Sequence, residues 1–145
     1  MAVLVPKARA IEKTKELIGR CMTQFGLTRM LPLYRELDGM GTKTVSATAT
    51  GTLFEKKPVP KDTVFVVFGL SLDGDLAKLD YINIKVNEKT LYKIPVTLID
   101  AQPDDSVFFE PIAFIPGQRI IIDTYNTDTV DATVDFQLHG YYLFK

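Results

Sequence analysis

In the last stretch of the chain, apolar residues alternate with polar ones from Val130 to Phe144. Successive side chains of a β-strand point to opposite faces of its sheet, so this pattern predicts a long strand with one buried face. A second alternating run, Thr42–Phe54, carries apolar residues on one face and mostly threonine on the other. Two such runs indicate an antiparallel sheet that buries one side.

Six further short segments with a strand-like pattern lie between these two runs. Valine, isoleucine and threonine favour strands, and they number 7 in the first 40 residues and 31 in the remaining 105. No intervening segment is long enough for a crossover helix, which excludes a parallel α/β fold. The sequence predicts a mainly β fold, an antiparallel eight-stranded β-sandwich that is jelly-roll-like. The six segments are Thr63–Leu70, Leu79–Val86, Leu91–Ile94, Val96–Ile99, Val107–Phe114 and Gln118–Tyr125.

Two local features refine this prediction. Thr63–Leu70 is apolar at nearly every position, which is typical of a strand covered on both faces. Pro116-Gly117 separates the last two of the six segments, and such a pair between strand patterns predicts a hairpin.

The first part of the chain has a helical pattern. Ile11, Ile18, Met22 and Phe25 follow helical spacing, and Gly26 stands where a helix C-terminal glycine is expected. The segment from residue 27 to residue 37 is open to two interpretations, a short second helix starting near Pro32 or an extended crossing. The sequence therefore predicts an N-terminal arm over residues 1–41 and a β-sandwich domain over residues 42–145.

Charge is divided unequally between these parts. Residues 1–35 carry seven basic and two acidic side chains, a net charge of +5, whereas residues 36–145 carry ten basic and sixteen acidic ones, a net charge of −6. A basic amphipathic helix beside an acidic domain indicates an arm with a binding partner of its own. The candidate partner-binding residues are Lys7, Arg9, Ile11, Lys13, Ile18, Met22 and Phe25.

The sequence offers no recognisable catalytic motif. It contains one cysteine and one histidine, too few for the usual zinc sites, and no phosphate-binding loop. His139 could pair with Ser46, Ser71 or Ser106, but none of these serines lies in a nucleophile-elbow motif. Cys21 lies on the helical stripe and is interpreted as a buried, inert thiol. We expect no enzymatic activity and no cofactor.

Aspartates cluster near the final turn, and their oxygens are the ligands that calcium prefers. Asp123, Asp128, Asp131 and Asp135 form this group, and no EF-hand loop pattern accompanies them. Turn formation and solubility explain them more simply, so no metal site is predicted.

Hydropathy and charge also limit the environment of the chain. No apolar run approaches the roughly 18 residues of a membrane span, and the first residues lack the pattern of a secretory signal. The sheet region is acidic, which disfavours specific nucleic-acid binding. We expect synthesis in the host cytoplasm and no membrane partner.

A basic N-terminal arm followed by one compact sandwich resembles a small bacteriophage virion protein of the capsid cement or decoration type, with a single jelly-roll domain. The resemblance rests on the arm at Met1–Leu37, the strand at Thr42–Phe54, the segment FFEPIAFIPGQRIIIDTYN and the closing strand VDFQLHGYYLFK. It implies a non-enzymatic structural protein located in the virion. The implied partners are copies of the chain itself, as a trimer, and a major capsid protein.

Three alternatives to this function remain open. Tyr81, Tyr92, Tyr125 and Tyr141 alternate with polar neighbours and could stack on sugars, as in a carbohydrate-binding β-sandwich module. A vertex or fibre-type virion attachment protein is the second alternative. A small hydrolase is the third alternative, for which the sequence offers no constellation of residues.

Overall fold

The computed structural model describes residues 4–34 and 39–145. Arg35 and Leu37, which entered the charge count and the helical pattern above, lie outside these residues. Besides its helices and strands, the described chain has two short 3-10 turns, at Leu76–Lys78 and Pro103–Asp105. The helices are α1 Lys7–Phe25 and α2 Val96–Asp100, and the strands are β1 Arg29–Pro32, β2 Gly41–Val45, β3 Thr50–Lys56, β4 Thr63–Gly74, β5 Leu79–Val86, β6 Lys89–Pro95, β7 Ser106–Phe114, β8 Ile120–Asn126 and β9 Ala132–Phe144.

The strands form two antiparallel sheets, which confirms the mainly β prediction. The first sheet has the order β1-β9-β4-β7, and β2 pairs with β9 beside β1. The second sheet has the order β3-β8-β5-β6. The long strand β9 is the alternating run at the end of the chain, and it pairs with β4, β1 and β2.

The main hydrophobic core lies between the two sheets, in a sandwich-like arrangement. Phe65 and Leu72 of β4 and Phe136 of β9 contribute from the first sheet, and all three are almost fully buried. Ile84 and Ile122 contribute from the second sheet and are fully buried. Each fully buried side chain of this size stabilises the fold by about 1.5–3 kcal/mol relative to exposure.

Helix α1 covers the outer face of the first sheet. It starts after the extended Pro6 and ends at Gly26, whose positive φ of 64° lets its N–H bond to the Met22 carbonyl oxygen. Val64 and Val66 point outward from β4, opposite the main core, and are fully buried beneath the helix. The prediction that Thr63–Leu70 is covered on both faces is therefore confirmed.

The prediction of a single strand over Thr42–Phe54 is wrong. The segment divides into β2, which pairs with β9, and β3, which pairs with β8 in the other sheet. Thr48 turns the chain with a φ of 50°, and Asp131 Oδ1 accepts a hydrogen bond from the Ala47 N–H at 2.9 Å. The alternation continues through the turn because both strands direct their apolar residues into the same core.

Two further elements differ from the prediction. Val96–Ile99 is part of helix α2 rather than a strand, and the three-residue spacing of the buried Val96 and Ile99 fits one helical turn. Of the two interpretations for residues 27–37, the extended one is correct where the structure describes the chain, since Arg29–Pro32 is strand β1. The described residues thus contain nine strands, where the sequence predicts eight.

The Pro116-Gly117 turn does not close a hairpin. Strand β7 pairs with β4 and strand β8 pairs with β3 and β5, so the turn carries the chain from one sheet to the other. Gly117, with a φ of 88°, donates its N–H to the Val59 carbonyl oxygen, and the Val59 N–H donates to the Gln118 carbonyl oxygen. These bonds hold the turn against residues 57–60 and away from the strand that precedes it.

Candidate functional site

The apolar members of the predicted partner-binding set face the chain's own sheet. Ile18, Met22 and Phe25 are half-buried and pack in one cluster with Val64, Val66 and Leu143. Ile11 lines a small cavity of about 140 Å³ between the helix and the sheet. The outer apolar face of residues 63–70 is thus covered within the subunit.

The basic members of the set remain at the surface with neighbours of their own. The Lys7 ammonium lies 5.6 Å from the centre of the Phe108 ring. Arg9 Nε is 3.3 Å from Glu110 Oε1, and Lys13 Nζ is 3.8 Å from Glu16 Oε2. Exposed ion pairs of this kind contribute at most about 1 kcal/mol. Binding of these residues to a partner stays a prediction.

The most exposed apolar surface near the N-terminus belongs to strand β1. Met30 and Leu31 are each 46% exposed, and Tyr34 beyond the strand is 51% exposed. Strand β1 pairs with β9 on one side, and in the described part of the chain no strand borders its other side. The sequence does not identify this edge, because the apolar residues between 27 and 37 also follow helical spacing. Pro32 is the available signal, since a proline within a strand indicates an edge position.

Strand pairing brings three side chains of the hydrolase alternative together on the same outer face. Ser71 on β4 lies opposite Ser106 on β7, and His139 on β9 lies next to it. Ser71 Oγ is 2.5 Å from His139 Nε2 and 2.7 Å from Ser106 Oγ. Ser46, the third serine of that alternative, lies elsewhere, at the exposed end of β2. Sequence could not show this because strand partners are distant in the chain.

The surroundings of His139 favour a neutral imidazole. Burial lowers the pKa of His139 below its usual value of 6.5, and the Lys7 ammonium lowers it further. Phe68 and Phe108 flank the imidazole, with ring centres 6.3 Å and 5.7 Å away. A serine within reach of a neutral histidine is half of a nucleophile–base arrangement, but no carboxylate among the described residues hydrogen-bonds to this imidazole to orient it.

A cavity of about 720 Å³ opens beside His139, at the end of the sheet face that the helix leaves uncovered. The segment from Leu4 to Lys7 forms one wall, and Gln102–Asp104 forms another. The first wall is fixed to β7, because the Val5 N–H donates to the Phe108 carbonyl oxygen at 2.9 Å. We name this space the His139 cavity.

The aspartates near the final turn have separate structural roles. Asp123 is buried and its Oδ2 is 2.8 Å from Lys85 Nζ. Asp128 Oδ1 accepts the N–H of Thr129, and Asp131 anchors Ala47 as described above. Across residues 4–34 and 39–145, no three His, Cys, Asp or Glu side chains come together as a metal site would require.

The four tyrosines of the carbohydrate alternative do not share one surface. Tyr92 donates its hydroxyl to the Glu110 carbonyl oxygen and packs edge-on against Phe109. Tyr141 is half-buried in the cluster beneath the helix. Tyr81, which lies 4.3 Å from Lys93 Nζ, and Tyr125 are the exposed pair, each 37% exposed.

Comparison with known proteins identifies no relative. No family model, no curated protein and no solved structure matches this chain. The described helices include none with the length and hydropathy that crossing a bilayer requires. The function is therefore inferred from the fold and its surfaces.

Proposed function

We propose that this protein is a non-enzymatic structural protein that binds and stabilises a virion lattice as a homo-oligomer, in the manner of a bacteriophage cement or decoration protein. The strand order is the observation that carries the proposal. Apart from β1, the sheets have the orders β2-β9-β4-β7 and β3-β8-β5-β6. Eight strands in two interleaved Greek keys give this arrangement, the jelly roll, which recurs in viral capsid domains.

Strand β1 provides the surface for assembly. Its four residues are all exposed, and the edge that no strand of residues 4–34 and 39–145 borders offers backbone groups to a strand of another subunit. Met30, Leu31 and Tyr34 are already about half covered, so removing the rest of each side chain from water contributes roughly 1 kcal/mol. A contact that joins β1 to a different surface of the next subunit closes a ring when its rotation is a whole fraction of a turn and builds a filament otherwise, and we propose a closed trimer.

The mass of the protein in solution tests this assembly. Light scattering at tens of micromolar should give a trimer for the natural chain and a monomer for the double variant Met30→Lys, Leu31→Lys. Leu91→Lys is the matched control, since Leu91 is also 46% exposed but lies on β6 of the other sheet. The control should remain trimeric, and a monomeric natural chain would contradict the proposal.

Binding to a lattice is a separate step with its own measurement. Empty shells of a major capsid protein should carry the natural chain into the pellet on centrifugation, and the β1 double variant should stay in solution. A carbohydrate-binding module without an assembly role would remain in the supernatant in both cases. That result would favour the alternative function over the structural one.

A further inference from the structure

We propose that the His139 cavity binds a neutral saccharide residue. Its volume of about 720 Å³ lies within the range of about 300–1,000 Å³ that small-molecule sites occupy. The cavity involves no residue of β1, so this inference is independent of the proposed assembly. It also lies apart from the exposed pair Tyr81 and Tyr125, because its floor belongs to the first sheet and they belong to the second.

The lining combines aromatic rings with polar groups of both kinds. Phe68 and Phe108 stack at a centroid distance of 6.1 Å and present carbon surface to the cavity. Around them, Ser106, Gln102 and Asp104 supply a hydroxyl, an amide and a carboxylate. A sugar ring has apolar C–H faces and hydroxyls that both donate and accept hydrogen bonds, so it matches this combination.

The charges around the cavity favour an uncharged ligand. Lys7 and Asp104 both line the cavity, so a ligand of either charge meets one side chain of like charge. An anion such as phosphate would meet the Asp104 carboxylate, and Asp105 and Asp73 add negative charge near it outside the cavity lining. A cation would meet Lys7. A neutral polyhydroxyl compound is repelled neither by the carboxylates nor by the Lys7 ammonium.

The backbone of the Gln102–Asp104 wall supports a binding role. Asp104 and Asp105 have φ angles of 58° and 48°, two consecutive non-glycine residues in the left-handed region. Such conformations are sparsely populated and concentrate at ligand-binding segments. Ser106 Oγ donates to the Asp104 carbonyl oxygen at 3.0 Å, which ties this wall to the start of β7.

Amide NMR titration of the full chain tests this site. The probes are the methyl glycosides of glucose, galactose, mannose and N-acetylglucosamine, with glucuronate and inorganic phosphate as charged probes. At least one neutral glycoside should shift the amide signals of Ser106, Phe108 and His139. Glucuronate and phosphate should leave them unmoved.

Substitutions at two exposed residues test which side chains contact the sugar. Gln102→Ala and Asp104→Asn should each weaken binding by at least about fivefold, because each removes or neutralises a hydrogen-bonding group. Asp62→Asn is the matched control, since Asp62 also has a positive φ, of 57°, but lies in another loop, and its variant should bind normally. All variants should keep the circular-dichroism spectrum of the natural chain.

Several results would overturn the inference. No shift with any neutral glycoside at tens of millimolar would do so, as would shifts confined to Tyr81 and Tyr125. Preferential binding of glucuronate or phosphate would show that the cavity selects anions. Equal affinity of the Asp104→Asn, Gln102→Ala and Asp62→Asn variants would place the ligand elsewhere.

Discussion

At the scale of single residues, His139 shows how a side chain acquires its properties from neighbours that are distant in sequence. The sequence places it on the polar face of the last strand and suggests three serines as partners. One of those, Ser71, is a direct partner in the structure, and Ser106 bonds to Ser71 in turn, because β9, β4 and β7 are adjacent. The half-burial of the ring between Phe68 and Phe108 could not be read from the sequence, since it depends on the pairing of three strands.

The lowered pKa of His139 predicts how stability depends on pH. The unfolded chain binds a proton on this ring more readily than the folded one, so the free energy of unfolding should fall as pH drops through about 6.5. Urea denaturation over a pH series should show this fall in the natural chain and a flatter profile in His139→Gln, which removes the one histidine. The pKa of Asp105 is raised, so this carboxyl makes the free energy of unfolding fall as pH rises above about 3.8. That range is more acidic than the one in which His139 acts. Equal profiles for both proteins would contradict the prediction.

At the scale of elements, the sequence predicts local patterns well and sheet membership poorly. The closing strand, the helix ending at Gly26 and the strand covered on both faces all follow from periodicity within one segment. The division of residues 42–54 into β2 and β3 does not, because both strands bury alternate residues in one core. The sequence leaves strand β1 undecided between an extended segment and a helix, because the apolar residues around it also follow helical spacing.

The pairing of β4 with β9 depends on the absence of a side chain at Gly140. A Cβ atom there would overlap the Val66 carbonyl oxygen and lie 2.9 Å from Val67 Cα, both backbone atoms that cannot move aside cheaply. Gly140→Ala should lower the free energy of unfolding by about 1–3 kcal/mol or more, measured by urea denaturation. Gly19→Ala in α1 is the control, because no atom lies within 4 Å of its added Cβ, and it should stabilise by up to about 1 kcal/mol. Equal effects of the two substitutions would disprove the close approach.

At the scale of the whole molecule, the chain buries apolar surface in two layers. The main core lies between the sheets, and all but two of its buried residues, Leu33 and Met40, come from residues 42–145. The second layer lies between α1 and the outer face of the first sheet. The division into an arm over residues 1–41 and a domain over residues 42–145 stays a prediction, because Leu33, Met40 and strand β1 of the first part also belong to the main core or the first sheet.

A chain shortened to residues 41–145 should fold but with lower stability. The shortening removes α1, strand β1 and the core residues Leu33 and Met40. It also exposes Val64, Val66 and Leu143, each fully buried in the full chain and each contributing up to about 1.5–3 kcal/mol. The entropy of ordering the helix offsets part of this loss. Since small domains have free energies of unfolding of about 5–15 kcal/mol, the main core should still give a cooperative melt at a lower temperature. Circular dichroism measures the melt, and increased binding of a hydrophobic dye reports the exposed face. In the full chain, Met22→Asp should reproduce part of the effect, whereas Gln24→Asp on the exposed side should not. A shortened chain without a cooperative melt would show that the helix belongs to the folding unit, because the outer layer is then required for the inner one.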